Sequence, residues 1–131
     1  MKSIIGLSLS LVCLLFVSQT ARAEMGECDK YTTSYDQTYC YCKLFMESDK
    51  ELNEAYKELR SQVKDDVKQQ LTQTQRDWMK YRDSTCERQG AINVDCNYKV
   101  NRERTIYLRD RVRECKTGNC RSDMIGQKSW N

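Results

Sequence analysis

The chain has no histidine and no proline, and only five glycines. Without an imidazole there is no Ser-His-Asp or Cys-His nucleophile and no histidine general base. The commonest metal ligand is missing as well. A thioredoxin-like C-x-x-C is also absent. The carboxylates are numerous but scattered over polar stretches, so an enzyme is not expected and no cofactor is implied. Between Glu27 and Gln89 neither glycine nor proline interrupts the chain. Such a run, rich in Lys, Glu, Gln, Leu and Arg, favours helices. No alternating strand pattern, internal repeat or low-complexity segment is found.

What is present begins with a leader. Lys2 precedes an apolar run from Ile4 to Val17, and Ala21-Arg22-Ala23 places small residues where a signal peptidase reads. Residues 1–23 are expected to be a cleaved signal peptide. The apolar run is short for a membrane span. Cys13 lies inside it behind Leu11 and Val12, not behind the small residue that lipid attachment needs. No later segment is apolar enough to span a membrane. Lys2 and Arg22 leave with the leader, so the 22 basic residues fall almost level with the 19 acidic ones. This near balance points to no nucleic-acid partner.

Of eight cysteines, only Cys13 falls in the leader. The others are Cys28, Cys40, Cys42, Cys86, Cys96, Cys115 and Cys120, and in an exported chain they read as a disulfide framework. Their number is odd, so one thiol is free or pairs between chains. A thiolate zinc site at Cys40-Tyr41-Cys42 is disfavoured by oxidising surroundings and the absence of histidine.

The expected fold is all-α, an antiparallel helical hairpin plus a third helix, stapled by disulfides. The first helix starts near residues 33–36 and ends near Val63, with Phe45, Asp49, Leu52, Tyr56, Leu59 and Val63 on one stripe. The second starts near Val67, capped by Asp66 with Gln69 three residues on, and ends near Glu87. The segment after Gly90 is a loop, and Asp95 caps a third helix over residues 96–115. The domain is expected to span residues 24–115, with an irregular tail over 116–131. The short connection near residue 65 makes the first two helices antiparallel. Leu52 then faces Trp78, Tyr56 faces Thr74, Asn53 meets Gln75 and Asp49 meets Arg82. Cys40 or Cys42 lies near Cys86, although Cys86 with Cys96 would instead close the second connection. Cys115–Cys120 is the easiest local pair.

The stretches "CDKYTTSYDQTYC", "DKELNEAYKEL", "QRDWMKYRDSTC" and "CNYKVNRERTIYL" resemble the LprI-type lysozyme inhibitors, a family long carried as a domain of unknown function. The likeness covers about residues 28–112. It implies a small helical domain in the periplasm or secreted from a bacterium, and inhibition of host c-type lysozyme. The motif residues Asp49, Leu52, Asn53, Tyr56, Gln75, Trp78, Arg82, Asp83 and Arg104 are read as builders of the fold, their polar members setting helix register. Asn101 stands where the family usually shows threonine. Cys42, Cys115 and Cys120 are additional to its usual four cysteines.

Two surface elements are candidates for binding. "CKTGNC" can close into a rigid loop presenting Lys116 and Asn119, fit to enter a cleft holding two catalytic carboxylates. Its simpler role is to staple the end of the third helix. Tyr31, Tyr35, Tyr39 and Tyr41 are expected to pack against the hairpin ends, with a recognition patch as the alternative. Lys99, Arg102, Arg109 and Arg113 interleave with acids and read as a solvated face. Glu51, Glu54, Glu58, Asp65 and Asp66 line the outer side of the hairpin, where a basic lysozyme would meet them. The leading function is occlusion of lysozyme. The rival is an envelope interaction, assembly or stress module without that activity.

Overall fold

A computed structural model describes residues 26–130, so the expected signal peptide lies outside the described residues. Helix α1 spans Ser34–Gln62. Thr33 opens it, its hydroxyl accepting from the Asp36 amide at 3.0 Å. Tyr41, Ser48, Leu52, Ala55 and Leu59 recur three, four or seven residues apart and form its buried stripe. Extended backbone at Val63 and Lys64 reverses the chain within two residues. Helix α2 follows over Asp65–Cys86, earlier than expected. Asp66 is not its cap. Lys64 holds that position without a side-chain bond, and Asp65 and Asp66 lie in the first turn, where the helix dipole favours anions.

The connection expected as a loop is a small hairpin of β1 (Glu87–Arg88) and β2 (Ala91–Ile92). Gln89 and Gly90 turn it with φ of 52° and 76°. Two positive values at the tip match the twist of a tight hairpin, which explains the glycine. Helix α3 then spans Val94–Lys116. Its cap is Asn93, which accepts from the Cys96 amide at 3.1 Å, and not Asp95. Asp95 instead pairs with Lys99 at 3.0 Å. The tail carries a further short helix, α4 (Ser122–Ile125), because Ile125 inserts fully into the core.

The three long helices run up, down and up. Tyr41 stands beside Tyr98, Ser48 bonds to Asn101, and Glu58 pairs with Lys116, so α1 and α3 are parallel. The expected hairpin is present, but α1 packs most closely on α3 and not on α2. Small buried groups at Ser48, Ala55, Asn101 and Thr105 allow that approach. The bulk of Leu71 and Trp78 holds α2 further off, so α1 and α2 meet through long side chains. Tyr56 accordingly reaches Thr72, at 3.1 Å, rather than Thr74.

Leu52, Ala55, Leu59, Val63, Val67, Leu71, Trp78, Leu108, Val112 and Ile125 form one core. Cys28, Tyr41 and Tyr98 form a smaller one at the other end. The disulfides are Cys28–Cys40, Cys86–Cys96 and Cys115–Cys120. Cys86 is therefore not bonded to Cys40 or Cys42: the β-hairpin folds Cys96 back onto it. Cys42 is the odd thiol and is half-buried.

Two outcomes follow. Leu71→Ala, at a fully buried position, lowers stability by about 3 kcal/mol in urea unfolding. Alkylation of the denatured, unreduced chain from residue 24 onward modifies Cys42 alone, as read by peptide mass mapping.

Candidate functional site

Three helices meet at a polar seam. Arg82 of α2 reaches Asp49 of α1 at 3.5 Å, its own neighbour Asp83 at 2.9 Å, and Asn101 of α3 at 3.3 Å. Its guanidinium also lies over the Trp78 ring, 5.4 Å from the centroid. Asn101 is fully buried and donates to Ser48 at 3.3 Å. Its short amide fits between α1 and α3 and joins both neighbours to Arg82. Asp49 and Arg82 thus meet as the spacing predicts. Asn53 and Gln75 do not. Asn53 is exposed and bonds back to the Asp49 carbonyl at 2.9 Å, while Gln75 accepts from Arg104 at 3.1 Å.

Arg104 is the most confined charge among the described residues, only 3% exposed. Its Nε serves Gln75, but Nη1 and Nη2 have no hydrogen-bond partner. Trp130, Tyr107 and Trp78 surround the guanidinium, their centroids 4.9, 5.1 and 5.9 Å away. Burial lowers its pKa to about 10. The unfolded chain holds that proton more firmly, so this charge opposes folding at neutral pH. The penalty lifts as pH rises through 10. Beside it a cleft of about 210 Å³ opens between α2 and α3, lined also by Tyr81, Val100, Glu103 and Ser129.

On the surface, Cys115–Cys120 closes the loop of Lys116 and Asn119, turned at Gly118 with φ of 81°. Lys116 is tied back to Glu58, and the Asn119 amide donates to the Glu114 carbonyl at 3.0 Å. The basic residues of α3 are likewise engaged: Lys99 by Asp95, Arg102 by Glu27, Arg109 by Glu51 and Arg113 by Asp110. Among the hairpin acids, Glu51, Glu54, Glu58 and Asp65 each face a lysine or arginine.

The tyrosines depart from expectation. Of Tyr31, Tyr35, Tyr39 and Tyr41, only Tyr41 is buried, with its hydroxyl on Asp29 at 3.1 Å. Tyr31, Tyr35 and Tyr39 are 39%, 79% and 55% exposed, and Met46 is 71% exposed. The Cys28–Cys40 bond holds Tyr31 and Tyr39 beside one another, around a shallow cleft that includes Asp36, Lys43 and Glu47. Tyr31 precedes α1, and Tyr35 and Tyr39 lie off the buried stripe that carries Tyr41, so no neighbouring helix covers them.

The profile of the family described as "Lysozyme inhibitor LprI" matches residues 28–108. The chain belongs to the LprI family. No curated protein and no solved structure matches it. The LprI match takes in the Cys28–Cys40 and Cys86–Cys96 bonds and the whole polar seam, and stops short of the Cys115–Cys120 loop. Residues beyond the LprI match, Ile125 and Trp130, still pack against the core. Trp130 gave no signal in the sequence, because an isolated aromatic in a polar tail has no periodicity to place it.

The two arginines are expected to behave differently. Arg82→Met strands Asp49 and Asn101 and lowers stability by about 2 kcal/mol. Arg104→Met removes an unpaired buried charge and changes stability by less than about 1 kcal/mol. Chemical denaturation followed by circular dichroism reads both.

Proposed function

We propose that this LprI-family protein is exported to the periplasm or beyond, where it binds c-type lysozyme and blocks it by occlusion, without chemistry. Family membership supports the inhibitory activity. Export is supported by the three disulfides, and no helix among the described residues is long and apolar enough to cross a membrane.

The choice of surface rests on the exposed tyrosines. Tyrosine and methionine are enriched in protein interfaces, and a tyrosine loses little conformational entropy on binding. Tyr35, Tyr39 and Met46 are exposed along α1, with Tyr31 just ahead of it in the segment fastened by Cys28–Cys40. Asp36 and Glu47 beside them provide acids for a basic partner. The loop with Lys116 and Asn119 is the second candidate. Its rigidity favours it, but Lys116 would have to leave Glu58 to enter a cleft.

The test is clearance of a bacterial cell-wall suspension by c-type lysozyme, with the protein from residue 24 onward added. Inhibition is expected, and the double variant Tyr35→Ala/Tyr39→Ala weakens it at least about tenfold while keeping its helical spectrum. Lys116→Glu changes it less than about threefold. If Lys116→Glu alone abolishes inhibition, the loop is the contact. If the folded protein leaves lysozyme activity untouched, the envelope-module reading replaces this one.

A further inference from the structure

We propose that the cleft between α2, α3 and the terminal segment at Ser129–Trp130 binds a small carboxylate on the Arg104 guanidinium. This inference is independent of lysozyme binding and uses a different face from the tyrosine patch.

A guanidinium carries five N–H donors in a planar fork and cannot accept. Arg104 uses one donor on Gln75, while Nη1 and Nη2 are buried and unpartnered. Aromatic faces offset part of the charge, but they accept no conventional hydrogen bond. A carboxylate supplies two oxygens at the spacing of that fork, along with the opposite charge. Among the described residues no acid fills this role. The one carboxylate lining the cleft is Glu103, which is exposed and forms no ion pair with Arg104.

The walls set the remainder of the ligand. Trp78, Tyr81, Tyr107 and Trp130 make the cleft aromatic, so an apolar or planar body is favoured. Its volume, about 210 Å³, is that of an amino acid or an aryl acid and below that of usual cofactor pockets. Glu103 at the rim repels a second negative charge and attracts an ammonium. The chemistry therefore points to a free amino acid with a large apolar side chain, rather than phosphate or a dicarboxylate. Trp130 covers the guanidinium from a segment held by Ile125 and by the Lys128–Asp77 pair at 3.4 Å. Moving this one half-exposed ring uncovers Arg104 without disturbing a long helix.

The experiment titrates the protein from residue 24 onward with L-phenylalanine, 3-phenylpropionate and phenethylamine, reading tryptophan fluorescence and Tm. Saturable binding is expected for the two carboxylates and none for the amine. Phenylalanine should bind about threefold more tightly than phenylpropionate, and Glu103→Gln should erase that difference. Arg104→Met, with its helical spectrum intact, should lose at least about tenfold in affinity for both acids. Should that variant fail to fold, Trp130→Ala serves instead, since removing the cover must alter the affinity for both acids. No saturable response to either acid at 20 mM overturns the proposal. So does equal binding of phenethylamine, unchanged affinity in folded Arg104→Met, or unchanged affinity in Trp130→Ala.

Discussion

The bundle depends on α1 and α3 lying close enough for Asn101 to reach Ser48. A larger residue at either place would part the helices. Asn101 is an amide in a fully buried position, so it must be satisfied on both sides. Ser48 takes one side and Arg82 the other. One small polar contact thereby fixes the register of all three long helices. The apolar core above it adds most of the burial but little direction, since aliphatic side chains tolerate a sliding neighbour and a hydrogen bond does not.

The ends of the bundle are held by covalent bonds. Cys28–Cys40 folds the entry segment onto α1, Cys86–Cys96 closes the β-hairpin, and Cys115–Cys120 finishes α3. Each joins residues near in sequence, so these bonds pin turns and ends rather than tie distant helices together. This suits a binding protein with a modest core: the surface between the staples is presented in one conformation, and a partner need not order it. Lys99, Arg102, Arg109 and Arg113 on the exposed side of α3 are matched with acids, so that side offers few free cations to a partner.

Parts of this were legible in the chain itself. The uninterrupted run from Glu27 to Gln89 and the break near residue 65 dictate an antiparallel pair, and simple register brings Asp49 to Arg82. The same register fails two turns further on, where Tyr56 takes Thr72 and Gln75 takes Arg104. Helical periodicity tells which residues share a stripe, but not which of two neighbouring helices that stripe faces. Asn93 and Asp95 are both plausible caps by type, and only backbone geometry selects Asn93. Nothing in the type or spacing of Asn101 marks it as the residue joining three helices; its full burial does.

By itself the sequence determined the helical class, the reversal after α1, the odd count of thiols from Cys28 onward, and the lack of imidazole chemistry. These depend on residue type and local spacing alone. Tertiary structure decided that α1 lies nearest α3, that Cys86 joins Cys96, that Tyr31, Tyr35 and Tyr39 face water, and that Trp130 returns to cover Arg104. Those outcomes come from competition among distant groups for the same buried space, and no local pattern records who wins it.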